Sequence, residues 1–121
     1  MEIKGRKALV IGAARSGIAS ARFLAQRGAT VALNDRKPLS EWKREALELK
    51  TEGVGMVEGD PPSWLLDQID LVVVSPGVPT KSIPIRYADR RGAEVIGEIE
   101  LASRFLQGRI VAITRHSADD G

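Results

Sequence analysis

Short apolar runs separated by longer stretches with helical spacing constrain this chain more than any other property it has. Ala8-Leu9-Val10-Ile11, Thr30-Val31-Ala32-Leu33 and Leu71-Val72-Val73-Val74 read as buried strands, and Ile110-Val111-Ala112-Ile113 as a further one. Between them, apolar side chains recur with the period of a helix, as at Ile18, Ala21, Phe23, Leu24 and Ala25. Strands joined by helices lie parallel, because a right-handed crossover needs the helix to return the chain to the same edge. Fully apolar strands mean a sheet covered on both faces.

The remaining elements follow from the same signals. Gly28 stands where a helix over 18–27 needs a left-handed residue to end it. Pro38 breaks the chain and Ser40 is placed to cap a helix over 41–50. Val54–Glu58 reads as a third strand, with Ser63 capping a short helix to Leu66 after the Gly59-Asp60-Pro61-Pro62 turn. A helix over 85–91, a strand at Glu94-Val95-Ile96 and a helix over 98–106 complete the series. The predicted fold is α/β, a Rossmann-like doubly wound parallel sheet of about five strands with an orphan sixth strand at the C-terminal end. Only 4% of residues are aromatic, so the core is expected to consist of Val, Ile, Leu and Ala.

Charge and cysteine content narrow the partners. The formal charge is only +2, and the basic residues are scattered among acids without interleaved aromatics, which argues against nucleic acid. With no cysteine, neither a disulfide framework nor a thiolate metal site is available. The N-terminus lacks a signal-peptide pattern, and no apolar run approaches the ~20 residues of a membrane span. These features predict a soluble, cytoplasmic chain with no membrane insertion.

In parallel sheets, ligands bind beyond the carboxyl ends of the strands. Three loops are candidates: Gly12–Gly17, Asn34–Lys37 and Ser75–Pro79. In the first, Gly12 follows a strand directly and Gly17 opens a helix, so the backbone can pass close to a diphosphate facing the helix N-terminus. Arg15 offers a charged phosphate contact, and Ser16 a hydroxyl and an N–H. The dinucleotide pattern G-x-G-x-x-G has Ala14 at its middle position here, which counts against an NAD site. Without a ligand, the segment is simply a tight strand-to-helix turn.

Asp35 ends the second strand, 18 residues after Gly17. Its carboxylate can accept from a ribose hydroxyl, from a base N–H, or from nearby amides in an Asx-type turn. In the third loop Pro76 fixes φ, while the Ser75 hydroxyl and Gly77 N–H can meet a second phosphate; a stiff connector is the plainer reading. No catalytic residue is identified. Glu98 and Glu100 are two apart and do not share a helix face, so Glu98 is expected to serve the first turn of its helix. His116 is the only histidine, and no metal-ligand spacing occurs. Trp42 and Trp64 read as packing or surface aromatics.

Taken in order, the segments K-A-L-V-I-G-A-A-R-S-G, V-A-L-N-D, D-L-V-V-V-S-P-G-V-P, V-I-G-E-I-E-L-A-S-R-F and I-V-A-I-T carry a family likeness. Over residues 3–114 the chain resembles the N-terminal domain of the UDP-N-acetylmuramoylalanine–D-glutamate ligases. These are the Mur ligases that add D-glutamate in peptidoglycan synthesis. S-P-G-V-P and G-E-I-E-L are more specific than the glycine turn. The resemblance implies a domain over 1–108 that binds the UDP part of UDP-N-acetylmuramoyl-L-alanine. It implies that Arg15 and Ser16 meet the nucleotide, that Asp35 and Arg36 contact uracil, and that Ser75 and Gly77 lie by the diphosphate. In the whole family enzyme, ATP, Mg2+ and D-glutamate are expected in later domains, with no cofactor in this domain and a monomeric parent.

After Ile110-Val111-Ala112-Ile113-Thr114 the family continues with the phosphate-cradling G-T-N-G-K-T-T, whereas this chain reads Arg115-His116-Ser117-Ala118-Asp119-Asp120-Gly121. Residues 109–121 are therefore expected to be the start of a truncated ATP-binding domain, with a shifted reading frame near residue 115 or a truncation as the two explanations. Such a chain binds without catalysing, and its orphan strand offers a route to self-association. Two other readings stay open: an NAD(P)-binding domain of an oxidoreductase or regulatory subunit, and a structural fragment that binds nothing.

Overall fold

The computed structural model describes residues 2–79 and 82–104. Five parallel strands form one sheet in the order β3-β2-β1-β4-β5. They are β1 (Lys7–Ile11), β2 (Thr30–Asp35), β3 (Gly55–Glu58), β4 (Leu71–Val74) and β5 (Glu94–Gly97). The helices are α1 (Arg15–Gln26), α2 (Arg44–Glu48), α3 (Ser63–Leu66) and α4 (Ile83–Arg90), followed by a helical segment over 98–104. The doubly wound α/β sheet expected from the sequence is thus present. The sixth strand expected at Ile110–Ile113 lies outside the described residues.

Alternation along each strand sorts the core into two layers. On β1, Ala8 and Val10 face one side while Leu9 and Ile11 face the other. The first side packs on Ile18, Ala21 and Leu24 of α1 and on Leu101; the second packs on Leu66, Ile85 and Ala88 of α3 and α4. β1 and β4 are buried throughout except at Lys7. Burial of both strand faces is why these runs show no polar alternation.

Several boundaries differ from expectation, each for a local reason. α1 begins at Arg15, three residues early, because Gly12 has already turned the chain at φ +112°. The predicted helix over 41–50 is broken into a 3₁₀ turn at Leu39–Glu41, α2, and a second 3₁₀ turn at Leu49–Glu52. Ser40 caps nothing there; it lies inside the first turn, and Trp42 and Lys43 are extended between it and α2. Trp42 explains the break: it is buried in the first layer and its indole N–H donates to Lys37 O at 2.9 Å. The core is therefore not purely aliphatic. Ser63 is the first residue of α3 and not its cap, which falls at Pro62. Gly28 adopts φ +94° just after α1, as expected.

Candidate functional site

The strands end in register, and that brings their following loops together. Ile11 pairs with Asn34 on one side and Val74 on the other, while Asp35 pairs with Glu58. β1 lies where the order of connection reverses, with β2 on one side and β4 on the other. At this switch point the loops after β1 and β4 lead to opposite faces of the sheet and leave a crevice. A cavity of about 200 Å³ opens there. Gly12, Asp35, Arg36 and Gly77 all line it, so the ends of β1, β2 and β4 converge as anticipated.

The Gly12 turn is held from several directions. Gly12 N–H donates to Asn34 O at 2.7 Å, and Ser75 N–H to Ile11 O at 3.1 Å, extending the sheet ladder by a step on each side. A side chain at Gly12 would need φ +112° and would put its Cβ 2.3 Å from Ser75 Oγ. At Gly17, a Cβ would fall 1.7 Å from Gly12 O. Both positions thus require glycine for close approach, whatever the turn binds. Ala14, by contrast, is extended (φ −88°, ψ −177°) and exposed, so nothing in the backbone there demands a glycine.

Asp35 is a clamp. Its Oδ2 accepts from Ala13 N–H at 2.9 Å and its Oδ1 from Lys37 N–H at 3.0 Å. The Asx-type turn and the cavity-lining position are therefore the same residue in two roles. Arg36 is exposed, with its guanidinium 3.8 Å from Asp60. Asn34 is buried and its amide donates to Val57 O and Gly59 O, each at 2.8 Å, which ties the ends of β2 and β3.

The other predicted residues divide. Arg15 is exposed and lines a separate cleft of about 310 Å³ with Arg22 and Lys43. Ser16 is exposed on the first turn of α1, and Gly17 is buried beneath it. Pro76 is exposed beside Gly77. Ser75 is buried, and its hydroxyl donates to Glu98 Oε1 at 2.6 Å instead of facing the cavity. Glu98 does begin a helix, as expected, but its side chain points inward; Glu100 is exposed on another face.

Sequence reasoning missed part of the wall. Asp60 and Pro61 of the β3–α3 loop line the cavity, as do Ser82, the N-cap residue of α4, and Pro84. The rule that located the other loops also applies to the end of β3, so Asp60 was within reach. Ser82 was not, because nothing in the sequence marks which way the chain leaves Pro79. Among the described residues, no group of three or more His, Asp or Glu stands where it could hold a metal ion. No described helix is long and apolar enough to cross a membrane.

Comparison with known proteins places this geometry in context. Relatives include the UDP-N-acetylmuramoylalanine--D-glutamate ligases of Caldicellulosiruptor saccharolyticus, 47% identical, and Caldicellulosiruptor bescii, 44% identical, each over 94% of this chain. That of Geobacillus kaustophilus is 46% identical over 90%. The chain spans about a quarter of the length of these relatives (24–26%). Among solved structures, a pseudomurein peptide ligase type C from Methanothermus fervidus superposes with a TM-score of 0.63 at 23% identity, over 79% of this chain and 20% of that one. Shikimate dehydrogenase from Aquifex aeolicus gives 0.54 at 20% identity, over 80% and 44% of the two chains. At such identities the likeness is one of fold alone, and dehydrogenases share it. Residues 6–97 match the family model for the Mur ligase MurD-like N-terminal domain. The chain belongs to that family of Mur ligase N-terminal domains.

Proposed function

We propose that this chain holds the UDP part of UDP-N-acetylmuramoyl-L-alanine, as the substrate-binding domain of a ligase that adds D-glutamate. The observation that carries the reading is the single cavity joining Asp35 and Arg36 at the end of β2 to Gly12 and Gly77 across the switch point. Membership of the MurD-like family, together with the UDP-N-acetylmuramoyl substrate in the names of its relatives, supports uracil over adenosine as the base. In this reading Asp35 and Arg36 address the base, and the N–H groups of the Gly12–Gly17 turn and of Gly77 address the diphosphate. Ala14, Arg15 and Ser16 form the outer rim of that turn, and Ser75 and Pro76 shape the loop that presents Gly77. The binding domain is residues 1–108, with 109–121 beginning the next domain. In this reading ATP, Mg2+ and D-glutamate act in the whole enzyme on other domains. It works in the cytoplasm, on a water-soluble substrate.

Titrating UDP against the labelled chain by NMR tests this. Amide shifts should cluster in Gly12–Gly17, Asn34–Lys37 and Ser75–Pro79, and excess NADH should leave them unmoved. Displacement of UDP by NADH would favour a dinucleotide site instead, and no shift with either would leave a fragment that binds nothing.

A further inference from the structure

A buried acid that the binding site does not use sits beneath the glycine turn. Glu98, from the helical segment 98–104, is only 6% exposed, and Ser75 only 7%. The Ser75 hydroxyl lies 2.6 Å from Glu98 Oε1 and 3.5 Å from Gly12 O, so its one proton goes to the carboxyl group. A Cβ on Gly17 would come within 3.4 Å of the same Oε1, which puts the pair directly under the turn. Glu98 Oε2 has no hydrogen-bond partner among the described residues.

Such an arrangement is a poor source of stability. One hydrogen bond seldom repays the desolvation of a carboxyl group. Apolar side chains of the same shape would fill the space at less cost. What the pair provides is direction. Ser75 O accepts from Val78 N–H at 3.0 Å, so the turn carrying Gly77 and Val78 into the cavity wall hangs from Ser75. On the other side, Ser75 Oγ abuts Gly12.

We propose that Glu98 is a positioning residue: it fixes Ser75, and through Ser75 both the 75–79 loop and the Gly12 turn, in the arrangement that shapes the cavity. The cavity is thereby coupled to the helical segment 98–104, so a displacement of that segment releases the loop. The ligand arm of the test rests on the proposed UDP site; the exchange arm does not.

The experiment uses the 121-residue chain and compares Ser75→Ala, Glu98→Leu and Glu98→Gln. Amide hydrogen exchange at Gly12 and Val78, whose N–H groups are bonded to Asn34 O and Ser75 O, is read beside Val10 and Val73 in the sheet, with UDP titrations in parallel. Ser75→Ala and Glu98→Leu should each speed exchange at the loop amides about tenfold while the sheet amides hold. Each should weaken UDP by about five- to tenfold. Glu98→Gln keeps a carbonyl for the Ser75 hydroxyl and should stay within about twofold of the parent in both. The double variant Ser75→Ala with Glu98→Leu should add nothing to either single change, because both break the same bond. Loop exchange unchanged in Ser75→Ala, or acceleration spread evenly over the sheet, would overturn the proposal. So would parent-like UDP affinity in both disrupting variants. Should Glu98→Leu fail to fold, the contrast between Ser75→Ala and Glu98→Gln decides. A parent chain that ignores UDP sinks the function reading alone, and the exchange data still judge Glu98.

Discussion

Asp35 accepts two backbone N–H groups with one carboxylate, and the two bonds differ in consequence. Lys37 N–H is at an exposed position and can turn to water, whereas Ala13 N–H sits behind the Gly12 turn. Asp35→Ala is therefore expected to destabilise the chain by about 1–2 kcal/mol, nearly all from the stranded Ala13 amide. Asp35→Asn, which retains one acceptor oxygen, should lose less than half of that. Urea denaturation midpoints check both; equal losses would mean that Ala13 N–H finds water. The sequence made Asp35 visible through its place at the end of a strand. It left open whether its carboxylate would serve a ligand or the backbone, because Asx-turn geometry and a ligand-facing position require the same residue there. Ser75 shows the limit more sharply. A hydroxyl in a loop after a buried strand looks available to phosphate, and only its burial against Glu98, 23 residues on, removes it from the surface. No local pattern encodes a pair that distant.

At the scale of elements, the strands were the easiest to read and α2 the hardest. β4 is legible because four consecutive buried aliphatic residues suit nothing but a central strand of a covered sheet. The 41–50 stretch has helical composition, yet tertiary demand divides it: Trp42 must enter the core and hold Lys37 O, and the extended backbone that allows this prevents one continuous helix. At the opposite end of the sheet, Glu94 at the start of β5 accepts from Arg6 at 3.1 Å and from Arg104 at 2.8 Å. The hydrogen bond from Arg104, chiefly, holds its carboxyl below the ordinary 4.5, against desolvation that pushes the other way. A lowered native value means the unfolded chain binds the proton more readily. The stabilisation is accordingly complete above the ordinary value and drains away as pH falls through the native one. Glu94 is over a third exposed, so solvent screens the effect and the change is small. Comparing urea midpoints of the parent and Glu94→Gln should show a gap near neutral pH that narrows as pH falls below the ordinary carboxyl range. A gap independent of pH would assign it to packing.

Across the whole molecule, the sheet order decides how the proposed ligand is divided. β2 lies on one side of β1 and β4 on the other, so Asp35 with Arg36 and the Gly77 loop approach the cavity from opposite halves of the fold. A nucleotide lying across the switch point would set its base on the β2 side and its diphosphate toward Gly12 and Gly77. Uridine and UDP should then respond differently to the same substitutions. Asp35→Ala should weaken both by a similar factor, because both carry the base. Gly77→Val has open space around it for a side chain, so the fold should tolerate it, but the branched group would crowd the N–H offered to phosphate. It is expected to weaken UDP by about tenfold, the effect of one charge-assisted hydrogen bond, and to leave uridine within about twofold. Calorimetric titration of the two ligands against the parent and both variants measures the split. If Gly77→Val weakened uridine as much as UDP, the base and diphosphate would not be separated by the switch point. The ligand would then have to lie along one edge of the cavity, with β1 as its wall and not its midline.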